Sequence, residues 1–358
     1  MGEIGIRFYP SNWLYNAGVI GFLKVLERCG ENAEALLNND GSMIIRHFPE
    51  LSQIFDNWDE LTLEKLSSAK KKVSYKNKKG GTQKYYYANQ TEKSISERIQ
   101  KLINKDCKDK KTMMKGNISF MCSFCGGKIS NIKISKLSTL SQGFSNVLLT
   151  AEKTFPNSYW NNRADVFICP KCEFILLCHH IPLIRVTKER EIFINAPSFK
   201  IMWYLNKFAE KVLSKSKQYE LRKILALSLM EFAQKVSMTL GAWSMMNIDM
   251  IVKQGTKIDY FSLPYELSCI LLQKEIANLI SETNEPFILE NILKGNFSYL
   301  LNLLHRIMRY SVTGSNALDD EYLSVLKNRD SFSLKRLSKI LPELYVKINS
   351  AVNKEVTI

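Results

Sequence analysis

Cys122-Ser-Phe-Cys125 and, beyond the interval 126–168, Cys169-Pro-Lys-Cys172 are the two stretches on which the reading of this chain turns. Two residues between cysteines let the backbone fold into a knuckle that aims both thiolates at one point. Two knuckles complete a tetrahedron around one ion, with Zn–S bonds of about 2.3 Å. Gly126-Gly127 supplies the permissive backbone that the first turn needs. In the second, Phe167-Ile-Cys-Pro-Lys-Cys-Glu-Phe174 places the knuckle at the tip of a strand pair. The wide interval implies an insertion with its own structure, including a helix around 141–153. Either pair alone is also the spacing of a redox dithiol; the presence of both points to metal. Cys122, Cys125, Cys169 and Cys172 therefore read as the ligands of one structural Zn2+. Four thiolates close the coordination sphere, so the site staples a fold and keeps no position for activating water.

Working outward, residues 117–195 have the texture of short β-like runs, at 118–121, 129–134, 166–168, 174–178 and 191–194. Cys178-His179-His180 reads as a strand end near the second knuckle, with Cys178 and His180 on one face, rather than as a further ligand group. Cys29, Cys107 and Cys269 lack partners at ligand spacing and read as packing or surface thiols. Upstream, 4–9 suits a strand, and a helix follows with Ser11 as its N-cap. Trp13, Leu14, Ala17, Ile20, Leu23 and Val25 keep helical spacing, and Gly30 closes that helix. Further helices are expected at 53–66 and 91–104. Between them Val73-Ser-Tyr75 and Tyr85-Tyr-Tyr87 flank Asn77-Lys-Lys-Gly-Gly-Thr82, the signature of a hairpin with a lysine-studded tip. Beyond 197, apolar residues recur at three- and four-residue spacing through 199–213, 221–240, 263–280, 287–310 and 333–351. Breaks fall at Gly255, 284–286 and 311–315. The expected fold is α+β. A mixed α/β N-terminal domain (1–196) holds the basic hairpin segment (65–115) and a zinc-ribbon-like four-cysteine module (117–195), and an α-helical bundle (197–358) follows.

The chain carries a formal charge of +15, which favours polyanionic partners and nucleic acid first. Most of that excess lies between Lys65 and Lys115, where 16 Lys and Arg face 4 Asp and Glu. Lys70, Lys71, Lys72, Lys76, Lys78, Lys79 and Lys84, interleaved with Tyr75 and Tyr85, are candidate nucleic-acid contacts. Ammonium groups neutralise phosphates, and phenol rings stack on bases or lie in a groove. The stretch 108–115, with one Asp among its lysines, reads as a connector. No apolar run approaches a membrane span, and the opening MGEIGIRFYPSNW has no apolar signal core, so the expectation is a cytoplasmic protein with no membrane partner. Eight cysteines then point to metal or free thiols rather than a disulfide framework. There is no nucleophile elbow, phosphate-binding glycine loop or His-Glu-x-x-His helix. Among the four histidines, His305 falls on an apolar helical face and reads as core. Asp319-Asp320-Glu321 reads as a solvated helix start. The expectation is a protein that is not an enzyme.

Asn12-Trp-Leu-Tyr-Asn-Ala-Gly-Val-Ile-Gly-Phe-Leu23, followed by two Cys-x-x-Cys pairs and a helical C-terminus, resembles the CXXC–CXXC subfamily of large subunits of type I CRISPR Cascade complexes, chiefly subtype I-B. Trp13, Asn16, Ala17, Gly18 and Gly21 match the family's opening motif, and Cys122, Cys125, Cys169 and Cys172 match its cysteines. The resemblance implies a role in antiviral defence as a non-catalytic subunit. It would contact the 5′ handle of the CRISPR guide RNA, recognise the protospacer-adjacent motif (PAM) in target double-stranded DNA, stabilise the R-loop and help recruit the helicase–nuclease. Implied partners are the backbone, handle-binding and small subunits of Cascade. Asn12, Trp13, Asn16 and Gly18 become candidate contacts to guide RNA or a neighbouring subunit. Packing of Asn16, Gly18 and Gly21 against the zinc region is the equal alternative. The C-terminal bundle resembles the Cascade small subunit, and Met230, Met238, Met245, Met246 and Met250 are candidate internal starts or simply core filler. The rival readings are a zinc-ribbon enzyme of RNA processing or modification, and a zinc-stapled adaptor.

Overall fold

The computed structural model describes residues 5–66, 73–76, 82–86, 90–103, 120–129, 138–139, 167–215, 220–236, 242–255, 257–313 and 321–355. The chain divides into two units, Met1–Trp203 with Ile251–Asp259, and Tyr204–Met250 with Tyr260–Ile358.

The first unit opens with β1 (Ile6–Phe8), which pairs antiparallel with β2 (Met43–Ile45), Ile6 opposite Ile45 and Phe8 opposite Met43. Between them runs α1 (Trp13–Arg28). Its N-cap is Asn12, whose Oδ1 accepts the Tyr15 N–H at 3.0 Å. Ser11 does not cap; its backbone N–H and C=O are both taken by the Asn16 side chain, at 2.8 and 2.9 Å. The helix ends as its sequence predicts. Gly30 adopts φ +97°, and the Glu31 N–H closes back on the Leu26 carbonyl at 3.0 Å. α2 (Leu51–Lys65) follows, then the expected hairpin of β3 (Val73–Lys76) and β4 (Thr82–Tyr85), with Val73 opposite Tyr85 and Lys76 opposite Thr82. Its tip, 77–81, lies outside the described residues. The Tyr86 N–H bonds the Gln90 carbonyl at 2.7 Å where the hairpin leads into α3 (Glu92–Ile103).

The cysteine region is built from two short pairs, β5 (Phe120–Met121) with β6 (Lys128–Ile129), and β7 (Ser138–Thr139) with β8 (Phe167–Ile168). Then comes α4 (Pro170–Leu177), where the sequence reads as a β-like run at 174–178. The correction has a physical source. Pro170 sits at the first helical position, where its missing N–H costs nothing. Phe174, Ile175, Leu176 and Leu177 are all buried, so the helix shows no amphipathic period to distinguish it from a strand. The helix expected around 141–153 falls outside the described residues. β9 (Ile184–Arg185), β10 (Arg190–Asn195), β11 (Asp249–Gln254) and β12 (Lys257–Ser262) form one sheet in the order β12-β11-β10-β9. β11 and β12 are strands within the stretch that reads as helical bundle, with Gly255 (φ +58°) at the turn between them. The core of this unit gathers on Phe174 of α4, with Phe22 of α1 edge-on at 5.7 Å and Trp58 of α2 at 6.3 Å. The Trp58 indole N–H donates to the Leu177 carbonyl at 3.2 Å, satisfying the one polar atom of that ring.

The second unit is helical. α5 (Phe199–Lys215) runs into it, followed by α6 (Leu221–Lys235), α7 (Ala242–Met246), α8 (Tyr265–Leu271), α9 (Lys274–Thr283), α10 (Pro286–Leu293), α11 (Ser298–Thr313), α12 (Glu321–Ser324) and α13 (Ser331–Glu355). α13 packs along α11, α9 and α8, and α6 packs on α8 and α9. The break read at 284–286 is made by Asn284 in the left-handed region (φ 54°) and by Pro286 opening α10. No described helix is long and apolar enough to cross a membrane.

Candidate metal centre

The sulfur atoms of Cys122, Cys125, Cys169 and Cys172 all lie within 4.8 Å of one another. All four are free thiols, and the Cys125–Cys169 Sγ separation is 3.6 Å, far beyond a disulfide bond. Four sulfurs at about 2.3 Å from a central ion would stand about 3.8 Å apart, so the donor set fits one tetrahedral thiophilic ion. The knuckles form as their sequences require. The Cys122 N–H bonds the Gly127 carbonyl, the Gly126 N–H bonds the Cys122 carbonyl, each at 2.9 Å, and Gly126 holds φ +67°. In the second knuckle Cys169 caps α4, and the Cys172 N–H returns to the Cys169 carbonyl at 2.9 Å. This knuckle sits at a strand-to-helix junction rather than at the tip of a strand pair. The two are sewn together by the Ser123 N–H on the Phe167 carbonyl at 2.9 Å. Backbone N–H groups also face sulfur, Cys169 toward Cys122 Sγ at 3.3 Å and Gly127 toward Cys125 Sγ at 3.4 Å, an arrangement that favours thiolate.

The four thiols share their protons unevenly. Hydrogen bonding to Cys125, Cys169 and Cys172 holds the Cys122 thiol well below its ordinary value, while Cys169 and Cys172 are pushed up, in each case first by bonding to Cys122. A cation held by these four sulfurs would displace their protons. Among the described residues, these four are the His, Cys, Asp and Glu side chains grouped closely enough to hold a metal ion.

What positions the site is α1. Gly18 and Gly21 face α4 so closely that a Cβ at Gly18 would stand 2.4 Å from the Ile175 carbonyl oxygen, and one at Gly21 2.0 Å from that of Cys178. The Asn12 side chain reaches the Phe124 carbonyl inside the first knuckle at 3.4 Å. Asn16, buried, donates to Asn195 Oδ1 on β10 at 2.8 Å. Tyr15 lies beside the cluster, its phenol pushed up by burial and secondarily by the four cysteines. Of the four opening residues named for RNA or subunit contact, Asn16 and Gly18 are thus buried in the chain's own packing, while Asn12 and Trp13 keep partial exposure. On the other side of α4, Glu173 is 4% exposed, too dry for a lone carboxylate, and it meets Lys101 at 3.2 Å and Arg98 at 3.6 Å, both from α3. Sequence reasoning does not single out Glu173. Its signal is an acid at the start of an apolar run, next to Cys172.

His179 and His180 are buried outside the cysteine cluster. His179 Nδ1 lies 3.0 Å from the Leu176 carbonyl and His180 Nε2 lies 3.0 Å from Thr62 Oγ1. Cys178 is not on a strand but caps the end of α4. Cys29 sits against Asn57 and Gln53, and Cys269 is buried near Met245; Cys107 is outside the described residues. Of the nine basic-segment candidates, Lys84 is exposed and Tyr85 half-buried, while Tyr75 and Lys76 are described as strand backbone. Lys70, Lys71, Lys72, Lys78 and Lys79 fall outside the described residues, as do Asp319 and Asp320. His305 is exposed rather than core, because α11 carries a second, outward-facing apolar stripe.

Residues 115–183, which contain both cysteine pairs, match a family model described as CRISPR-associated protein (Cas_CXXC_CXXC). No curated protein and no solved structure matches the chain. The family match and the thiol geometry fall on the same stretch and support a CRISPR-associated protein built around paired Cys-x-x-Cys knuckles.

Proposed function

We propose, on the premise that the chain is similar to CRISPR-associated proteins through its four-cysteine region, that it is the non-catalytic large subunit of a type I, subtype I-B-like surveillance complex. The observation that carries this reading is the convergence of Cys122, Cys125, Cys169 and Cys172 within 4.8 Å inside the stretch that matches the family model. One Zn2+ is the ion proposed for it. When bound it would close the module by joining both knuckles, and with four thiolates around it no position would be left for substrate or water.

The proposed role follows from charge. The segment 65–115, with its excess of lysine, contacts target DNA through Lys70, Lys71, Lys72, Lys76, Lys78, Lys79 and Lys84, with Tyr75 and Tyr85 against bases or sugar. The pairing of β3 with β4 supports a hairpin there, a shape able to enter a groove. In this division of labour base pairing with the guide reads the target sequence, and the protein reads the short adjacent motif, holds the opened duplex and offers a surface to the helicase–nuclease.

The test is recovery of the chain from its native cells at low salt, followed by sequencing of any co-purifying RNA. Repeat-derived handles joined to variable spacers are expected; an intact multi-protein assembly without such RNA overturns the reading. With that complex, Lys76→Ala, Lys78→Ala and Lys79→Ala together should flatten the salt dependence of DNA binding by up to about 0.9 for each phosphate no longer neutralised. An unchanged slope removes the hairpin from the interface.

A further inference from the structure

We propose that Arg98 is a positioning residue that ties the lysine hairpin to the cysteine module, so that metal held by the four cysteines and polyanion held by the hairpin strengthen one another. The inference deepens the proposed function and rests on its reading of the hairpin as a nucleic-acid contact. Every residue it uses lies in the first unit. The link begins at a ligand. Cys172 stands in the first turn of α4, and the next residue is Glu173, whose N–H bonds the Cys169 carbonyl at 3.2 Å. The Glu173 carboxylate meets Arg98 Nε at 3.6 Å and Lys101 Nζ at 3.2 Å, both on α3. Arg98 Nη1 then donates to the Gln90 side-chain oxygen at 2.6 Å. The Gln90 carbonyl in turn accepts the Tyr86 N–H at 2.7 Å, and Tyr85 bridges to Thr91, which fixes the base of β4. One guanidinium thus spans the interval between the neighbour of a metal ligand and the strand that carries Lys84.

Packing alone does not require this link. Ile95, Ile99 and Leu102 of α3 are buried, and α3 packs along α4. Apolar contact is non-directional and holds a helix without fixing its rotation, whereas a charged hydrogen bond is directional. A buried ion pair is also a costly route to stability, since an apolar pair of similar volume often does as well. What the pair supplies is geometry: it sets which way α3 is turned, and with α3 the base of the hairpin. Drawing Cys169 and Cys172 onto one ion with Cys122 and Cys125 fixes the first turn of α4 and with it Glu173. The sign of the coupling is diagnostic. Four thiolates around a divalent ion keep a net negative charge, which repels a polyanion. Mutual strengthening therefore has to pass through the structure and not through the field.

The test measures the zinc affinity of the full chain by chelator competition, with and without a short double-stranded DNA. By reciprocity, DNA should tighten zinc by about tenfold in the parent. Gln90→Ala cuts the link on the hairpin side and leaves the Arg98–Glu173 pair, and Arg98→Met cuts it at the centre. Each should keep the parental zinc affinity without DNA, within about twofold, and lose the tightening. Zinc affinity that DNA weakens or leaves unchanged in the parent, tightening that survives both substitutions, or a loss of zinc affinity in both without DNA overturns the proposal. Lys76→Ala with Lys78→Ala and Lys79→Ala separates it from the reading beneath. If that variant loses DNA binding while the parent shows no tightening, the proposal alone fails; if it binds DNA with an unchanged salt slope, the hairpin reading fails and takes the proposal with it.

Discussion

Replacing Gly21 with alanine adds one methyl group where α1 and α4 touch, and the structure lets the cost be worked out. The new Cβ would stand 2.0 Å from the Cys178 carbonyl oxygen, 2.9 Å from its carbon and 3.1 Å from Pro182 Cδ. An ordinary contact begins near 3.4 Å, so the two helices must open by about 1.4 Å. The obstacle is backbone at the end of α4, which cannot swing aside as a side-chain tip would. Opening the pair also loosens Phe22 and Trp58 around Phe174. Overpacking of this kind costs about 1–3 kcal/mol, and a backbone obstacle belongs at the upper end. Better helix propensity returns about 1 kcal/mol. The net expectation is a loss of about 2 kcal/mol, concentrated in α1 and α4. Gly30→Ala is the control: nothing lies within 4 Å of its Cβ, and the cost there is the positive φ alone, about 1 kcal/mol. Because the chain has two units, a single unfolding midpoint is a poor measure. Amide hydrogen exchange read helix by helix is the better assay. If Gly21→Ala leaves α1 and α4 protection within about 0.5 kcal/mol of the parent, the close approach of these helices is not what holds the second knuckle.

Cys122→Ser with Cys125→Ser should abolish stoichiometric zinc and the visible absorption of a four-sulfur cobalt site, and unfold the module rather than merely empty it; an equally protected double variant contradicts a structural ion. Because each thiol must surrender its proton, metal affinity should rise with pH, checked by titration against a chelator. Glu173→Ala leaves the Arg98 guanidinium in a largely buried place without its carboxylate and should cost about 2–3 kcal/mol, with Arg98→Met in the same chain recovering part of it. Failure of that recovery in urea unfolding would mean the pair is not coupled. Asp330 accepts the Ser333 N–H at 2.8 Å and its hydroxyl at 2.7 Å, bonds that hold its carboxyl below the ordinary range. A depressed folded value means the contribution is complete above the unfolded value and is lost as pH falls through the folded one. Exchange protection in the first turn of α13 should therefore drop on acidification and become flat in Asp330→Asn.

Much of the site is legible in the sequence because its chemistry is local. A two-residue interval between cysteines suits a knuckle, and two such pairs carry the four thiols that one tetrahedral ion would need. α1 is legible too, from the spacing of its apolar residues and from Gly30, though the local pattern places its cap one residue early. Asn12 and Ser11 are both good caps, and the choice between them depends on Asn16 claiming the Ser11 backbone, a contact that no local pattern announces. The strands β11 and β12 carry a Gly-Thr turn between Ile251-Val252 and Ile258, the same signature that marks the lysine hairpin. The helical periodicity on either side obscures it.

The sequence by itself determined the four-cysteine set, the concentration of positive charge before it and the helical character of most of the C-terminal half, because each is written in spacing or composition. Only the tertiary structure decided that Asn16, Gly18 and Gly21 pack inside the chain, that Phe174–Leu177 is a helix, that Glu173 is a buried partner of α3, and that His305 faces outward. These are questions of which surface meets which. A glycine that permits close approach, or an apolar residue on one side of a helix, states that contact is possible without naming the neighbour. The neighbour is set by long-range packing, here the seating of α4 on α1 and of α13 on α11.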